Sequence, residues 1–416
     1  MMIPRGLMMS CNFGSAIDTP EMIEILKTQF ADNGVVQLAL LIAHGLQAPD
    51  YFYKPYLRSL PAQFTTPLYW EKSDFDLIEN PVSRYNAINS VRAAMMLFVR
   101  TVNTFTKAKR TTKMTVKSAS RNPLIMNNLS WDLFRWSMSV VMTRQNYIPY
   151  VDLMTNEVRQ SHTLIPIWDM MNHEYGKMTT LFDPELDCLE YKAMRSFEEG
   201  SEVTMHYGNR SNEQLLIYSG FVSDSANSYD DFIYLLDTTT SDELTKIRDN
   251  VMCKFIQLVA PHRSYDLLST TGAFSVLVRR SNLAICLADS VFIGLVVVAS
   301  KEDLLSLMRL TVEYTECISG TPDESGADDD SSVERILGLV EQGKLKKDFI
   351  MSALRWIYDQ GSKRSEETKG KNYGLASNMQ IGSSIQLMNQ GHREITKLFM
   401  SFILETSSRV AAVTSV

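Results

Sequence analysis

The sequence predicts an α+β protein in which a compact β region is interrupted, and then followed, by helices. Three observations predict it. Apolar residues recur at three- and four-residue steps before about residue 145 and again after about residue 230, the period of amphipathic helices. Between Thr163 and Tyr207 the segments shorten and turn residues crowd together, as strands and tight turns require. Of the 416 residues 45% are hydrophobic and 21% charged, with 19 Gly and 13 Pro, which excludes a mainly disordered or fibrous chain. The organisation expected is one unit over residues 1–228, with a helical insertion at about 18–145, and an all-helical unit over 229–416.

Taken in order, residues 3–12 read as a short strand and turn. Thr19-Pro20 opens a helix with a hydroxyl cap and a proline in the first turn. Ile88, Val91, Met95, Phe98 and Val102 mark a later helix; Trp131, Phe134, Met138 and Val141 mark another, capped by Ser130. Between them Lys107, Lys109, Arg110, Lys113, Lys117 and Arg121 form a basic loop without an acid. It reads as a targeting or docking element or, more commonly for such runs, as solvated surface. Asn172, Gly176, Asp183-Pro184 and Glu198 to Ser201 divide the β region, after which Val203, Met205 and Tyr207 alternate with Thr204 and His206 as a two-faced strand. Further on, Thr240 and Glu243 suggest a capping box. Leu304, Leu307, Met308 and Val312 suggest a buried stripe, and Thr321 to Glu334 an acidic, mobile loop.

Composition removes several function classes. Forty-one basic against 48 acidic side chains leave a net charge of −7, a poor match to a phosphate backbone. The five cysteines are scattered with no Cys-x-x-Cys, which supports neither a zinc knuckle nor a disulfide framework and suits a reducing compartment. The longest apolar run, Val291 to Ala299, is too short to cross a bilayer. No Walker loop, His-Glu-x-x-His helix or Gly-x-Ser-x-Gly turn occurs, and no two glycines stand two positions apart. The six histidines show no metal-site spacing, so no metal is expected.

What remains is a set of polar residues among short apolar segments: Arg144-Gln145-Asn146, Ile165 to His173, Tyr207 to Asn212, and Ser219-Gly220-Phe221. Singly, each reads as a turn, a cap or packing. In this order and spacing they resemble the SET-domain protein methyltransferases, in the subclass that includes the Rubisco large-subunit lysine methyltransferase. Val141 to Asn146, Leu164 to His173 and Tyr207 to Asn212 are similar to the actin-histidine N-methyltransferases within it, as are Ile3-Pro4-Arg5 and the stretch from Pro55-Tyr56 to Leu68-Tyr69. The resemblance runs over roughly residues 3 to 225 and is fainter beyond.

The resemblance implies a SET-domain β-fold with a helical insertion, then a helical substrate-binding domain. It implies S-adenosyl-L-methionine as cofactor, held by Arg144, Asp169, Asn172, His173, Ser219 and Phe221. Tyr207 would position the transferring methyl, and Trp168, Met205 and Arg210 would line the peptide groove. His206, which departs from the family pattern, reads as packing. Asn146 separates histidine from lysine chemistry. A lysine, with pKa near 10.4, must lose a proton before it attacks, whereas a histidine near 6.5 already offers a lone pair at pH 7. If the Asn146 side-chain oxygen accepts from the near ring N–H, the far, tele nitrogen is left unprotonated and aimed at the methyl. The competing reading is Asn146 as a helix-end cap.

Relatives begin with a Gly-x-Gly turn and the first SET strands. Met1 to Arg5 fall where that segment would just have ended, so an N-terminally truncated SET domain is expected. The partner implied is actin as protein substrate, with no nucleic acid, no membrane and a monomeric chain, in the cytoplasm or also the nucleus. The alternatives are a lysine methyltransferase acting on a histone or another protein, and a non-catalytic actin-binding form.

Overall fold

The computed structural model describes residues 1–13, 20–113, 128–152, 155–224, 226–238, 243–259, 273–281, 283–318, 331–368 and 376–413. The chain starts with strand β1 (Met2–Pro4). Helices α1 (Pro20–Gln29), α2 (Gly34–Gln47), α3 (Lys54–Ser59), α4 (Lys72–Asp76), α5 (Pro81–Lys113) and α6 (Trp131–Arg144) follow. The β region holds β2 (Asn146–Asp152), β3 (Glu157–Thr163), β4 (Thr180–Asp183) and β5 (Cys188–Tyr191). A short helix α7 (Asn212–Gln214) runs into a π turn at Leu215–Ser219. Strand β6 (Asp231–Asp237), helix α8 (Thr245–Val259) and strand β7 (Ala273–Arg279) come next, and α9 (Leu283–Val298), α10 (Lys301–Ile318), α11 (Ser331–Glu341), α12 (Lys347–Thr368) and α13 (Met379–Ala412) complete the fold.

Two small sheets frame the middle of the chain. β5 pairs antiparallel with both β1 and β4, setting Ile3 opposite Leu189 and Leu189 opposite Phe182. β2 and β3 form a hairpin that opens on the pair Asn146 and Thr163. Ile3, Met8, Ile148, Ile165, Trp168, Leu189, Tyr191 and Met205 fill the core between them. The helices of the insertion pack around Leu38, Leu41, Phe134 and Val140. A third core, around Leu236, Phe292, Ile357 and Phe399, belongs to the C-terminal elements.

Helix α13 ties the C-terminal part to the insertion and to the π turn after α7. Ile381, Ile385 and Met388 pack on Trp70, Ile78, Leu216 and Ile217. Asn389 accepts from the Glu79 N–H at 3.2 Å and donates to the Leu77 carbonyl at 2.8 Å, so one amide satisfies two backbone groups of the insertion. The Asp74 carboxylate accepts from Ser377, which repeats the tie one helix earlier.

Several expectations hold. β1 and the turn after it form as read, Pro20 begins α1, and the Ser130 hydroxyl accepts from the Leu133 N–H at 3.2 Å. Others do not. The C-terminal part is not all-helical: β6 pairs with β7, burying Phe232, Tyr234 and Leu236 opposite Val278 and Val276 in strict alternation. The segment from Val203 to Tyr207 is extended but makes only a single bridge, Met205 to His173. Met205 and His206 are both buried because this segment threads between neighbours on both sides, so the alternation fails. In α10 Leu304 and Leu307 are buried, whereas Met308 and Val312 are exposed; Thr311 and Tyr314 complete the inner face. The basic run is helical to Lys113 and lies outside the described residues from there to residue 127. Thr240 and residues 321–330 also lie outside them; Ser331 to Glu334 already belong to α11.

Candidate active site

The site begins where α6 ends. The Gln145 backbone turns extended while its N–H still bonds the Val141 carbonyl at 3.0 Å, so the helix stops at Arg144 and β2 starts at Asn146. The Asn146 amide donates to the Arg144 carbonyl at 3.2 Å. That contact is the helix-end role weighed for this residue, and it leaves the amide oxygen uncommitted.

β3 returns the chain to Ile165, and a tight turn follows. Ile167 has φ +74° and ψ −52°, an unusual conformation for a β-branched residue. The Asp169 N–H bonds the Ile165 carbonyl at 3.0 Å, and Trp168–Met170 form one 3-10 turn. This sends Asp169 inward, 4% exposed. The Tyr56 hydroxyl donates to its Oδ2, and Arg144 Nη1 donates to its backbone carbonyl. Arg144 Nη1 also stands 3.9 Å from Asp169 Oδ1. Burial pushes the Asp169 carboxyl up to about 7, against the pull of the Tyr56 hydrogen bond and the Arg144 charge.

A second set of groups is built by a chain crossing. The Met205 N–H bonds the Asn172 carbonyl at 2.9 Å and the Glu174 N–H bonds the Met205 carbonyl at 3.0 Å, clasping His173 between them. His173 Nδ1 accepts from the Tyr207 N–H at 3.2 Å, which fixes the ring tautomer with its proton, when neutral, on Nε2. The Tyr207 hydroxyl donates to the Met171 carbonyl at 2.7 Å. Around His173 stand Tyr207, His206 and Phe221, with ring centroids at 5.1, 5.5 and 6.1 Å. Burial, then the neighbouring His206, pushes His173 down to about 4. Ser219 and Phe221 flank Gly220, whose φ is +80° and where a Cβ would meet Thr65 Oγ1 at 2.6 Å; only glycine fits this turn.

The structure thus brings Arg144, Asn146 and Asp169 into one group and His173, Met205, Tyr207 and Phe221 into another. The charges of Arg144, Asp169 and Arg210 all act on the Tyr207 hydroxyl, which joins the groups electrostatically. Three of their buried polar atoms have no hydrogen-bond partner, Arg144 Nε, Asp169 Oδ1 and His173 Nε2, and neither has Ser219 Oγ. Other expected residues stand differently. The Asn172 side chain is exposed and donates to Glu202 at 2.6 Å, so its backbone rather than its amide serves the crossing. Trp168 and Met205 are 7% and 5% exposed and sit in the β core, with Trp168 Nε1 donating to Thr180 at 3.2 Å. Arg210 is half-buried, and burial lowers its pKa. Sequence reasoning missed Tyr56 as a site residue, although it stands inside a stretch that carried the resemblance.

No family model matches the chain. It is similar to the actin-histidine N-methyltransferase of Gallus gallus, 31% identical over 258 residues that make up 61% of this chain and 40% of that protein. The Homo sapiens protein of the same name is 33% identical over 221 residues, 53% of this chain and 35% of that protein. The chain therefore spans well under half the length of the curated relatives it matches. Among solved structures, Rubisco LSMT bound to sinefungin and monomethyllysine aligns with TM-score 0.56 at 13% identity, over 100% of this chain and 84% of that one. The SET domain of LSMT bound to lysine and AdoHcy aligns with TM-score 0.55 over 100% and 83%. The chain has the SET-domain fold of Rubisco LSMT, and its sequence is similar to those of the actin-histidine N-methyltransferases.

Proposed function

We propose that the chain transfers a methyl group from S-adenosyl-L-methionine to the tele nitrogen of a histidine in actin. The observation that carries this reading is the pair of unsatisfied buried atoms next to Asn146, Arg144 Nε and Asp169 Oδ1, on side chains that meet each other. Leaving such groups unpaired costs about 1–3 kcal/mol each, so their convergence suits a polar ligand that completes them. The residues fit the cofactor's chemistry. Arg144 offers a guanidinium N–H to a carboxylate, Asp169 a carboxylate to an ammonium, Ser219 a hydroxyl and Phe221 a ring face to the adenine. When bound, S-adenosylmethionine supplies a methyl on a sulfonium centre, open to in-line displacement by a neutral nitrogen.

This chain's own residues supply position. The Tyr207 hydroxyl gives its proton to Met171, so its oxygen lone pairs stay available to polarised C–H groups. Asn146, with its amide N–H on the Arg144 carbonyl, has its oxygen left to accept a hydrogen bond from a substrate. An imidazole whose near N–H bonds that oxygen holds its far lone pair free, and no added base is needed. The assignment of the amide's two ends follows the hydrogen bond it makes. The helical part beyond residue 229 serves in this reading to hold an extended actin segment.

Incubation with methyl-labelled S-adenosylmethionine and either actin or core histones, read by tandem mass spectrometry, tests the proposal. The expected product is one actin histidine labelled on its ring, with histone lysines unlabelled. Label on lysine with actin untouched would replace it by the lysine reading.

A further inference from the structure

The stripe that announces α5 in the sequence is only partly the stripe the fold buries: Val91 and Phe98 pack against the core, whereas Ile88 and Met95 stay exposed. Ala87, Ala94, Thr101 and Phe105, each at most 3% exposed, face inward. Ile88, Met95, Met96 and Val99 are 45%, 52%, 63% and 56% exposed. With Val91 and Phe75 of α4 they line an open groove of about 1100 Å³ along the helix. Contiguous apolar side chains at these exposures mark interaction surfaces rather than ordinary surface. Ile88, Val91, Met95 and Val99 stand at steps of three, four and four, the spacing that receives another helix. The two methionines add side chains that adapt to a partner's shape.

The charges that line the groove without an ion pair among the described residues are basic. Arg92 and Arg100 line it without an ion pair among the described residues, and Lys107 continues the row. Asp76, the acid in the lining, is held by Lys72 at 2.7 Å. Eight residues separate the two arginines, about 12 Å along the axis. A second copy placed face to face by a two-fold axis would set arginines near arginines, which repels.

We propose that this groove docks an amphipathic helix of a partner protein, apolar on its inner face and carrying carboxylates about two turns apart on its flank. The apolar face supplies contact area, and the two carboxylates meet Arg92 and Arg100 and fix direction and register. The surface lies on the helical insertion and uses none of the residues assigned to methyl transfer.

The test uses the full chain and a fluorescein-labelled, 18-residue helical peptide. The peptide has leucines at positions i, i+3, i+7 and i+11 and two glutamates eight residues apart on one flank. Anisotropy should report saturable binding that weakens as salt rises. Replacing the two glutamates by lysines should weaken binding at least tenfold, and Met95→Glu in the chain should abolish it. In the doubly substituted Arg92→Glu, Arg100→Glu chain the lysine peptide should bind better than the glutamate peptide. All three positions are exposed, so unchanged melting curves show that the fold survives. Equal binding of both peptides to the parent chain, or binding unaffected by Met95→Glu, overturns the proposal. Sedimentation of the parent as a dimer that Met95→Glu dissociates overturns it in favour of a second copy.

Discussion

Asp169 is held from two sides, by the Tyr56 hydroxyl on Oδ2 and by Arg144 on its carbonyl, while Oδ1 stays unpaired. Tyr56→Phe removes a hydrogen bond to a buried carboxyl and should cost about 1–3 kcal/mol of stability, read from urea denaturation. The same change removes an influence that lowers the Asp169 pKa. Its titration should therefore move above about 7, and affinity for the cationic cofactor at pH 7.5 should fall. An unchanged urea midpoint with unchanged affinity would mean that Tyr56 only fills space. At this scale the sequence speaks through the resemblance, which named Arg144, Asp169, His173 and Tyr207; the structure links Arg144 with Asp169 and His173 with Tyr207. Tyr56 was not named, because 113 residues separate it from Asp169.

The turn at Ile167 shows what a short element contributes. Its positive φ aims Asp169 inward, and the side chain is 66% exposed, so little burial offsets the strain. Ile167→Gly should relieve about 1–3 kcal/mol of strain against about 1 kcal/mol of added chain entropy. The variant should thus be neutral or up to about 2 kcal/mol more stable in urea, with methyl transfer reduced because Asp169 and Trp168 are held less firmly. Clear destabilisation would show that the backbone here is unstrained. Element types were largely readable, and in α6 so was the buried face, Phe134, Met138 and Val141, but in α5 and α10 it was only partly so. The period in α5 gave a helix, yet small residues, Ala87 and Ala94, allow close packing and take the inner face. β6 and β7 were missed because their alternation of aromatic and β-branched residues sits between helical stretches and finds its partner only across the α8 segment.

Across the whole molecule, buried titrating groups make stability depend on pH. Asp169 and Asp230 are pushed up to about 7 and Asp231 to about 6, in each case mainly by burial. Raised above their unfolded value, they contribute stability that is fully present below about 3.8 and lost as pH rises through 6 to 7. His173 and His392 are pushed down to about 4, again by burial. Their contribution is present above about 6.5 and lost as pH falls toward 4. From pH 8 to 6.5 only the carboxyl groups change, so stability should rise. Below 6.5 the histidines oppose them. Urea midpoints should therefore be higher at pH 6.5 than at pH 8, and a midpoint that rises from 6.5 to 8 would contradict the assignment.

The central claim is that Asn146 orients an imidazole toward the methyl donor, and Asn146→Phe tests it most directly. Initial rates of methyl transfer are measured on two matched peptides that differ only in carrying histidine or lysine at the target position. Loss of one hydrogen bond to a buried polar partner, about 1–3 kcal/mol, predicts a drop of roughly five- to 150-fold on the histidine peptide. The ratio of lysine to histidine methylation should rise at the same time. If Asn146→Phe methylates the histidine peptide as fast as the parent, Asn146 only caps the end of α6 through the Arg144 carbonyl, and the account of histidine specificity is wrong.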